Sequence, residues 1–187
     1  MEPVAIFEAA PGEDRSPLED FDAVVQLYRP RILRFSLACL RDRDTAETVT
    51  QDCFVRAYQA RSRFRGDASL QTWLMQIAVN LVRDAARSRR FQFWKKAEAV
   101  DLGAAGEWLA EGSLSPEQSA SRRQQVAAVW KVLEELSGNQ RAVFLLHFLE
   151  EMNHAEIEAA TGISKAAVKV HLFRAVRAVR EKLGNTR

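Results

Sequence analysis

"NHAEIEAATGISKAAVKVHLFRAVRAVREKL", Asn153 to Leu183, decides how this chain is read. It divides into a short helix, a turn at Gly162–Ile163, and a longer helix that Ser164 can cap. A helix-turn-helix needs apolar residues where its helices cross, a small residue at the turn, and a second helix that is polar outward. Ile157, Ala160 and Ile163 supply the crossing and the turn, and Val168, Leu172, Ala175 and Val179 supply the inner stripe of the second helix. On a helical wheel Ala166, Val170, Phe173, Arg174 and Arg177 point the other way, with Lys169 at the margin. Small and apolar side chains there can meet thymine methyls, while Arg and Lys reach phosphates or guanine edges. The same residues would also suit a solvated basic helix packed on a bundle. Glu158 stands where such a crossing usually has a small residue, and His171 is expected on the DNA side or in solvent.

Upstream of this unit helical spacing is everywhere and strand alternation is absent, so the chain reads as all-α. "SPLE" starts a first helix, with Ser16 as cap, Pro17 at the first position and Glu19 completing a capping box. Its apolar face is Phe21, Val24, Tyr28, Ile32 and Phe35. A second helix, Asp44 to Arg61, buries Val49, Cys53 and Ala57 and turns Asp44, Glu47, Thr48, Gln51 and Val55 outward. After a Gly66–Asp67 turn, a third buries Leu70, Leu74, Ile77, Leu81 and Ala85. "GAAGEWLAEGSLS", Gly103 to Ser115, breaks the periodicity, and a second "SP" start at Ser115–Pro116 opens a helix burying Val126, Val129, Trp130, Leu133 and Leu136. Asn139 opens a fifth, through Leu149.

The expected architecture is therefore two small helical domains, a three-helix N-terminal bundle and a four-helix C-terminal domain with the helix-turn-helix, joined by a flexible linker. The boundaries are a mobile tail over residues 1–15, a domain over 16–96, a linker over 97–115 and a domain over 116–187.

Net charge is only +2, but it is unevenly placed. Arg83, Arg87, Arg89, Arg90, Lys95 and Lys96 stand against Asp84 alone. Lys165, Lys169, Arg174, Arg177, Arg180, Lys182 and Arg187 stand against Glu181 alone, and Glu98, Asp101, Glu107, Glu111 and Glu117 lie between the two runs. Two basic patches joined by an acidic connector point to two contacts with a polyanion. The first patch continues the helix of Trp73 and Asn80, and aromatic rings beside cations are a means of holding unstacked bases. Taken singly, Trp73 reads rather as core.

Catalytic chemistry finds no support. His147 and His154 lack further ligands, and there is no Gly-rich phosphate loop, HExxH or nucleophile elbow. No catalytic residue, metal site or cofactor is expected. Cys39 and Cys53 fall among apolar helix positions and read as buried free thiols. No apolar run approaches the roughly 20 residues of a membrane span. The N-terminus "MEPVAIFEAAPGEDRSP" lacks the pattern of a signal peptide, so a cytoplasmic protein is expected.

"DTAETVTQDCFVRAYQARSRFRGDASLQTWLMQIAVNLVRDAARSRR" resembles the second region of bacterial RNA polymerase sigma factors of the extracytoplasmic-function (ECF) group, in the sigma-70 family. "LEELSGNQRAVFLLHFLEEMNHAEIEAATGISKAAVKVHLFRAVRAVREKL" resembles their fourth region, and the missing third region and short linker fit that group. The resemblance spans about Ser16 to Leu183. It implies a non-catalytic promoter-recognition subunit, held in check by a probable anti-sigma factor. Asp44, Glu47, Gln51 and Asp52 would dock on core polymerase. The loop Phe64–Ser69 and the helix after it would hold single-stranded −10 DNA, through Phe64, Arg65, Ser69, Trp73, Asn80, Arg83 and Arg87. Duplex −35 DNA would meet Lys165, Lys169, Val170, Phe173, Arg174 and Arg177. Val170 and His171 stand where the family commonly has Ser and Arg, and "ETVTQDCF" replaces a more usual "EDLVQEVF". Two other readings stay open: a dimeric helix-turn-helix regulator acting without polymerase, and a nucleic-acid-processing enzyme.

Overall fold

The computed structural model describes Leu18, residues 20–92 and residues 128–184. The expected tail and linker, and the starts at Ser16–Pro17 and Ser115–Pro116, lie outside them. In chain order the helices are α1 Phe21–Leu40, α2 Arg43–Ala60, α3 Leu70–Gln92, α4 over residues 128–135, α5 Gly138–Phe148, α6 His154–Thr161 and α7 Lys165–Gly184. A single 3₁₀ turn, Arg61–Arg63, follows α2.

Local chemistry explains the starts, and it moves several of them. α1, from Phe21, is capped by Asp20, whose carboxylate accepts from the Ala23 N–H at 3.0 Å. Asp42 caps α2 through the Thr45 N–H at 2.7 Å, one residue earlier than the spacing predicts. α5 is opened by Ser137 rather than Asn139. Ser137 and Gln140 form a reciprocal capping box that satisfies two otherwise orphaned amides. Asn153 and Glu156 do the same for α6. α1 ends with Arg41 in the left-handed region, φ 59°, its N–H on the Leu37 carbonyl at 2.8 Å. Gly66 and Gly162 also have positive φ, 76° and 69°, which glycine adopts without a Cβ penalty.

Val24, Ile32 and Phe35 of α1 are buried against Val49, Cys53 and Ala57 of α2. α3 buries more than its simple stripe: Leu74 and Leu81 are inside, and Met75, Ala78, Val79 and Val82 join them. Leu70, Ile77 and Ala85 are only partly buried at its margin. In the C-terminal half Trp130, Val132, Leu133, Val143, Leu146, Ile157, Val168 and Ala175 are buried. The expected core thiol at Cys53 is enclosed, and burial pushes it up to about 12.

The two halves do not stand apart. One apolar cluster runs from Ile32 and Phe35 through Met75 and Ala78 to Leu146 and Ile157. α6 lies on α3, and α5 touches α1.

Candidate nucleic-acid interface

The C-terminal unit is built as the spacing predicts. α6 ends at Gly162, whose N–H reaches the Glu158 carbonyl at 2.8 Å, and Ser164 begins α7 by accepting from Val168 N–H at 2.8 Å through its carbonyl. Val168 and Ala175 are fully buried, and Leu172 packs against the core. Lys165, Ala166, Lys169, Val170, Phe173, Arg174 and Arg177 are all exposed. Phe173 is 68% exposed, which for a large apolar ring leaves a contact surface unused by the fold. Arg177 pairs with Glu181 at 2.7 Å, so one cation of this face is already partly neutralised.

Two residues here differ from expectation. His171 is not on the outer face; it lies half-buried between Val168 and Ala175 on the inner stripe, its Nδ1 shielded and without a hydrogen-bond partner. Three residues after Val168, it shares that residue's side of the helix. Glu158, the odd residue at the crossing, reaches across the turn and accepts from the Lys165 N–H at 3.0 Å. A carboxylate at the first turn of α7 satisfies a free amide and complements the helix dipole. A small residue could do neither.

On α3 the candidate residues are less free. Phe64 and Trp73 meet, with ring centroids 5.1 Å apart at 46°, and both are half-buried. Ser69 caps α3: its Oγ accepts from the Thr72 N–H at 3.1 Å and lies 2.8 Å from the Thr72 hydroxyl. Arg65 and Asn80 are exposed. Asn80 stands seven residues beyond Trp73 on the same helix, about 10 Å along its axis. Arg87 is exposed and lies 3.7 Å from Asp84. Arg83 is turned inward and donates to the Thr161 carbonyl at 2.6 Å. Burial, and then the like charge of Arg87, lower its pKa.

The outer face of α2 carries Asp44, Gln51 and Asp52, all exposed, and Glu47 ion-paired to Arg43 at 3.0 Å. Val55 and Tyr58 extend it as exposed apolar groups, 53% and 48%, with the Arg61 guanidinium 3.7 Å above the Tyr58 ring. Tyr58 was missed in the sequence. Its position three residues before Arg61, on the same side of the helix as that cation, was the available signal.

Sequence reading also passed over Glu150. Its side chain is wholly enclosed, with Arg31 Nε donating at 2.8 Å and Arg34 Nη2 at 3.3 Å. Gln71 Nε2 donates to its carbonyl at 2.7 Å. Burial raises the Glu150 pKa, and the hydrogen bonds and charges of the two arginines oppose that rise. Among the described residues no group of three or more His, Cys, Asp and Glu is placed to hold a metal ion. Among the same residues no helix is long and apolar enough to cross a membrane.

Residues 24–92 match the family model for sigma-70 region 2, and residues 127–179 match that for sigma-70 region 4. The probable RNA polymerase sigma factor RfaY of Xanthomonas campestris is 31% identical; the match covers 87% of this chain but 40% of that protein. The sigma factor CnrH of Cupriavidus metallidurans is 36% identical, over 69% of this chain and 68% of CnrH. The ECF sigma-E factor of Escherichia coli is 27% identical, over 87% and 86%. Among solved structures, the sigma factor RpoE of Bartonella quintana, crystallised with the anti-sigma factor NepR, superposes with a TM-score of 0.70. That match has 23% identity and covers 90% of this chain and 99% of RpoE.

Proposed function

The chain belongs to the sigma-70 family, in its ECF group, and on that premise we propose that it binds core RNA polymerase, reads −35 and −10 promoter elements and promotes melting. The observation that carries this is the outer face of α7: exposed Lys169, Val170, Phe173 and Arg174 on the second helix of a helix-turn-helix, in a chain whose other half matches region 2. Residues 16–96 carry polymerase and −10 binding, 97–115 connect, and 116–187 carry −35 binding. Asp44, Glu47, Gln51 and Asp52, extended by Val55 and Tyr58, form the polymerase face. Phe64, Arg65, Trp73, Asn80 and Arg87 meet the single strand; Ser69 supports them as the cap of α3. Lys165, Arg174 and Arg177 anchor the duplex. The protein has no catalysis of its own, works in the cytoplasm and is restrained by an anti-sigma factor, as RpoE is bound to NepR in its structure.

Transcription in vitro from a promoter library, with core polymerase and this chain alone as the initiation factor, tests the reading. Start sites sharing −35 and −10 sequences are expected; absence of factor-dependent transcripts from every promoter would reject it. Within that assay Asn80→Ala isolates base reading, because Asn80 is exposed and its amide can both donate and accept. A base extracted from the stack costs a few kcal/mol that its pocket must offset. The variant is expected to lose discrimination at one −10 position, seen by permanganate reactivity, with polymerase affinity unchanged.

A further inference from the structure

We propose that the carboxylate of Glu158 lowers the sequence-independent affinity of the helix-turn-helix for duplex DNA, by closing with an anion a place where the phosphate backbone would otherwise be held. The proposal rests on the −35 reading given above and adds to it a residue that works against binding.

Glu158 lies on α6, and its carboxylate crosses the turn to accept from the N–H of Lys165, the first residue of α7, at 3.0 Å. Ser164 Oγ accepts from the Ala167 N–H at 3.4 Å, so two amides of this helix start are already engaged. In a helix-turn-helix the second helix enters the major groove by its N-terminal end, while the first crosses the sugar-phosphate backbone. The Glu158 carboxylate joins those two elements and so stands where phosphates pass. Backbone N–H groups and the positive end of the dipole at such a helix start are common partners of phosphate oxygens. Here a negative side chain holds the first of them.

The surroundings leave that charge effective. Glu158 itself is half-buried, but Lys165, Ala166, Lys169 and Val170 are all exposed, and the bond to Lys165 N–H is exposed with them. Other carboxylates of the protein are neutralised by an arginine one turn away: Arg177 pairs with Glu181 at 2.7 Å and Arg43 with Glu47 at 3.0 Å. Among the described residues no cation pairs with Glu158. Its negative charge therefore subtracts from the attraction that Lys165, Lys169 and Arg174 provide on the same face.

Folding and binding place opposite demands on this side chain. In the free chain the carboxylate satisfies an amide and complements the dipole. Against DNA it meets another anion. Two unit charges about 6 Å apart at a wet interface repel enough to change affinity about three- to tenfold, and the repulsion fades as salt rises. Phosphates are alike at every step of the duplex, so the penalty falls equally on matched and unmatched sequences. Competing unmatched sites are far more numerous than promoters, and a uniform penalty shortens the time spent on them.

The test uses core polymerase loaded with wild-type chain, Glu158→Gln or Glu158→Asp. Each is titrated with a promoter fragment from the library transcription and with the same fragment carrying a scrambled −35 element. Gln keeps the length and the acceptor oxygen but loses the charge; Asp keeps the charge. At about 0.05 M salt the Gln form is expected to bind both fragments about three- to tenfold more tightly than wild type, by the same factor on each. That gain should shrink towards none by about 0.3 M, and the Asp form should bind as wild type does. Melting curves of the free chains check that all three fold alike. A Gln form no tighter than wild type at low salt would overturn the proposal, as would a gain indifferent to salt, confined to the matched fragment or shared by Asp. If wild type does not distinguish the matched from the scrambled fragment, the −35 reading falls, whereas a salt-dependent gain for Gln on both would leave the role of Glu158 standing. Absence of binding by every form rejects both.

Discussion

The two candidate nucleic-acid faces of this protein are made differently. The outer face of α7 does nothing for the fold: its inner stripe is buried, and Phe173 and Val170 stand free in solvent. The corresponding face of α3 is built from residues already engaged. Trp73 packs on Phe64, Ser69 caps the helix, and Arg83 holds the other half of the chain. A face with one duty can change its sequence preference freely, whereas a face with two can change only as far as folding permits.

The sharpest way to break this contrast is to truncate one aromatic on each face. Trp73→Ala removes a half-buried ring and its partner contact, and is expected to lower stability by roughly 2–3 kcal/mol, below the full cost of a buried aromatic. Phe173→Ala is expected to stay within about 0.5 kcal/mol of wild type while weakening −35 binding. Urea denaturation of both, beside duplex titrations, decides; equal losses of stability would abolish the distinction. Next in size, Arg174→Ala should cost roughly 1–3 kcal/mol of −35 affinity if it meets a base edge. Footprints equal to wild type over that element would remove Arg174 from the interface. The smallest effect is Ser69→Ala. Loss of the α3 cap should cost about 1 kcal/mol of stability. Its effect on single-strand binding should be restored by Ser69→Asp, which caps equally well but could not substitute for a hydroxyl contact to DNA.

The same contrast explains how much could be read beforehand. On α7 the inner and outer stripes follow from hydrophobic spacing alone, so its exposed residues were all legible. His171 failed because its polarity suggested water while its register placed it beside Val168 and Ala175. Val24, Ile32 and Phe35 of α1 and Val49, Cys53 and Ala57 of α2 were legible for the same reason as the stripe of α7. Phe21 and Tyr28 lie only at the core's margin, and Leu33, Ala46 and Phe54 join it unforeseen. The start of α5 was not legible, because Ser137 competes with Asn139, an equally plausible cap nearby. Glu150 was hidden for a different reason. A lone acidic residue after an apolar helix ordinarily reads as solvated, and its partners Arg31 and Arg34 lie more than a hundred positions away in the chain. Contacts between halves have no local pattern.

Arg41 carries a consequence of its own. Its left-handed backbone, φ 59°, is one that glycine would adopt at less cost, and its side chain reaches Glu134 in the other half. Arg41→Gly should therefore act in opposite directions at two scales. The N-terminal bundle would gain from relieved backbone strain, while cohesion between the bundle and its neighbour would fall. Hydrogen exchange can separate the two, as slower amide exchange within α1 and faster exchange at the α3–α6 contact. At this position the chain accepts an imperfect helix ending in return for a grip on its other half, and a residue chosen for local fitness alone would have disconnected them.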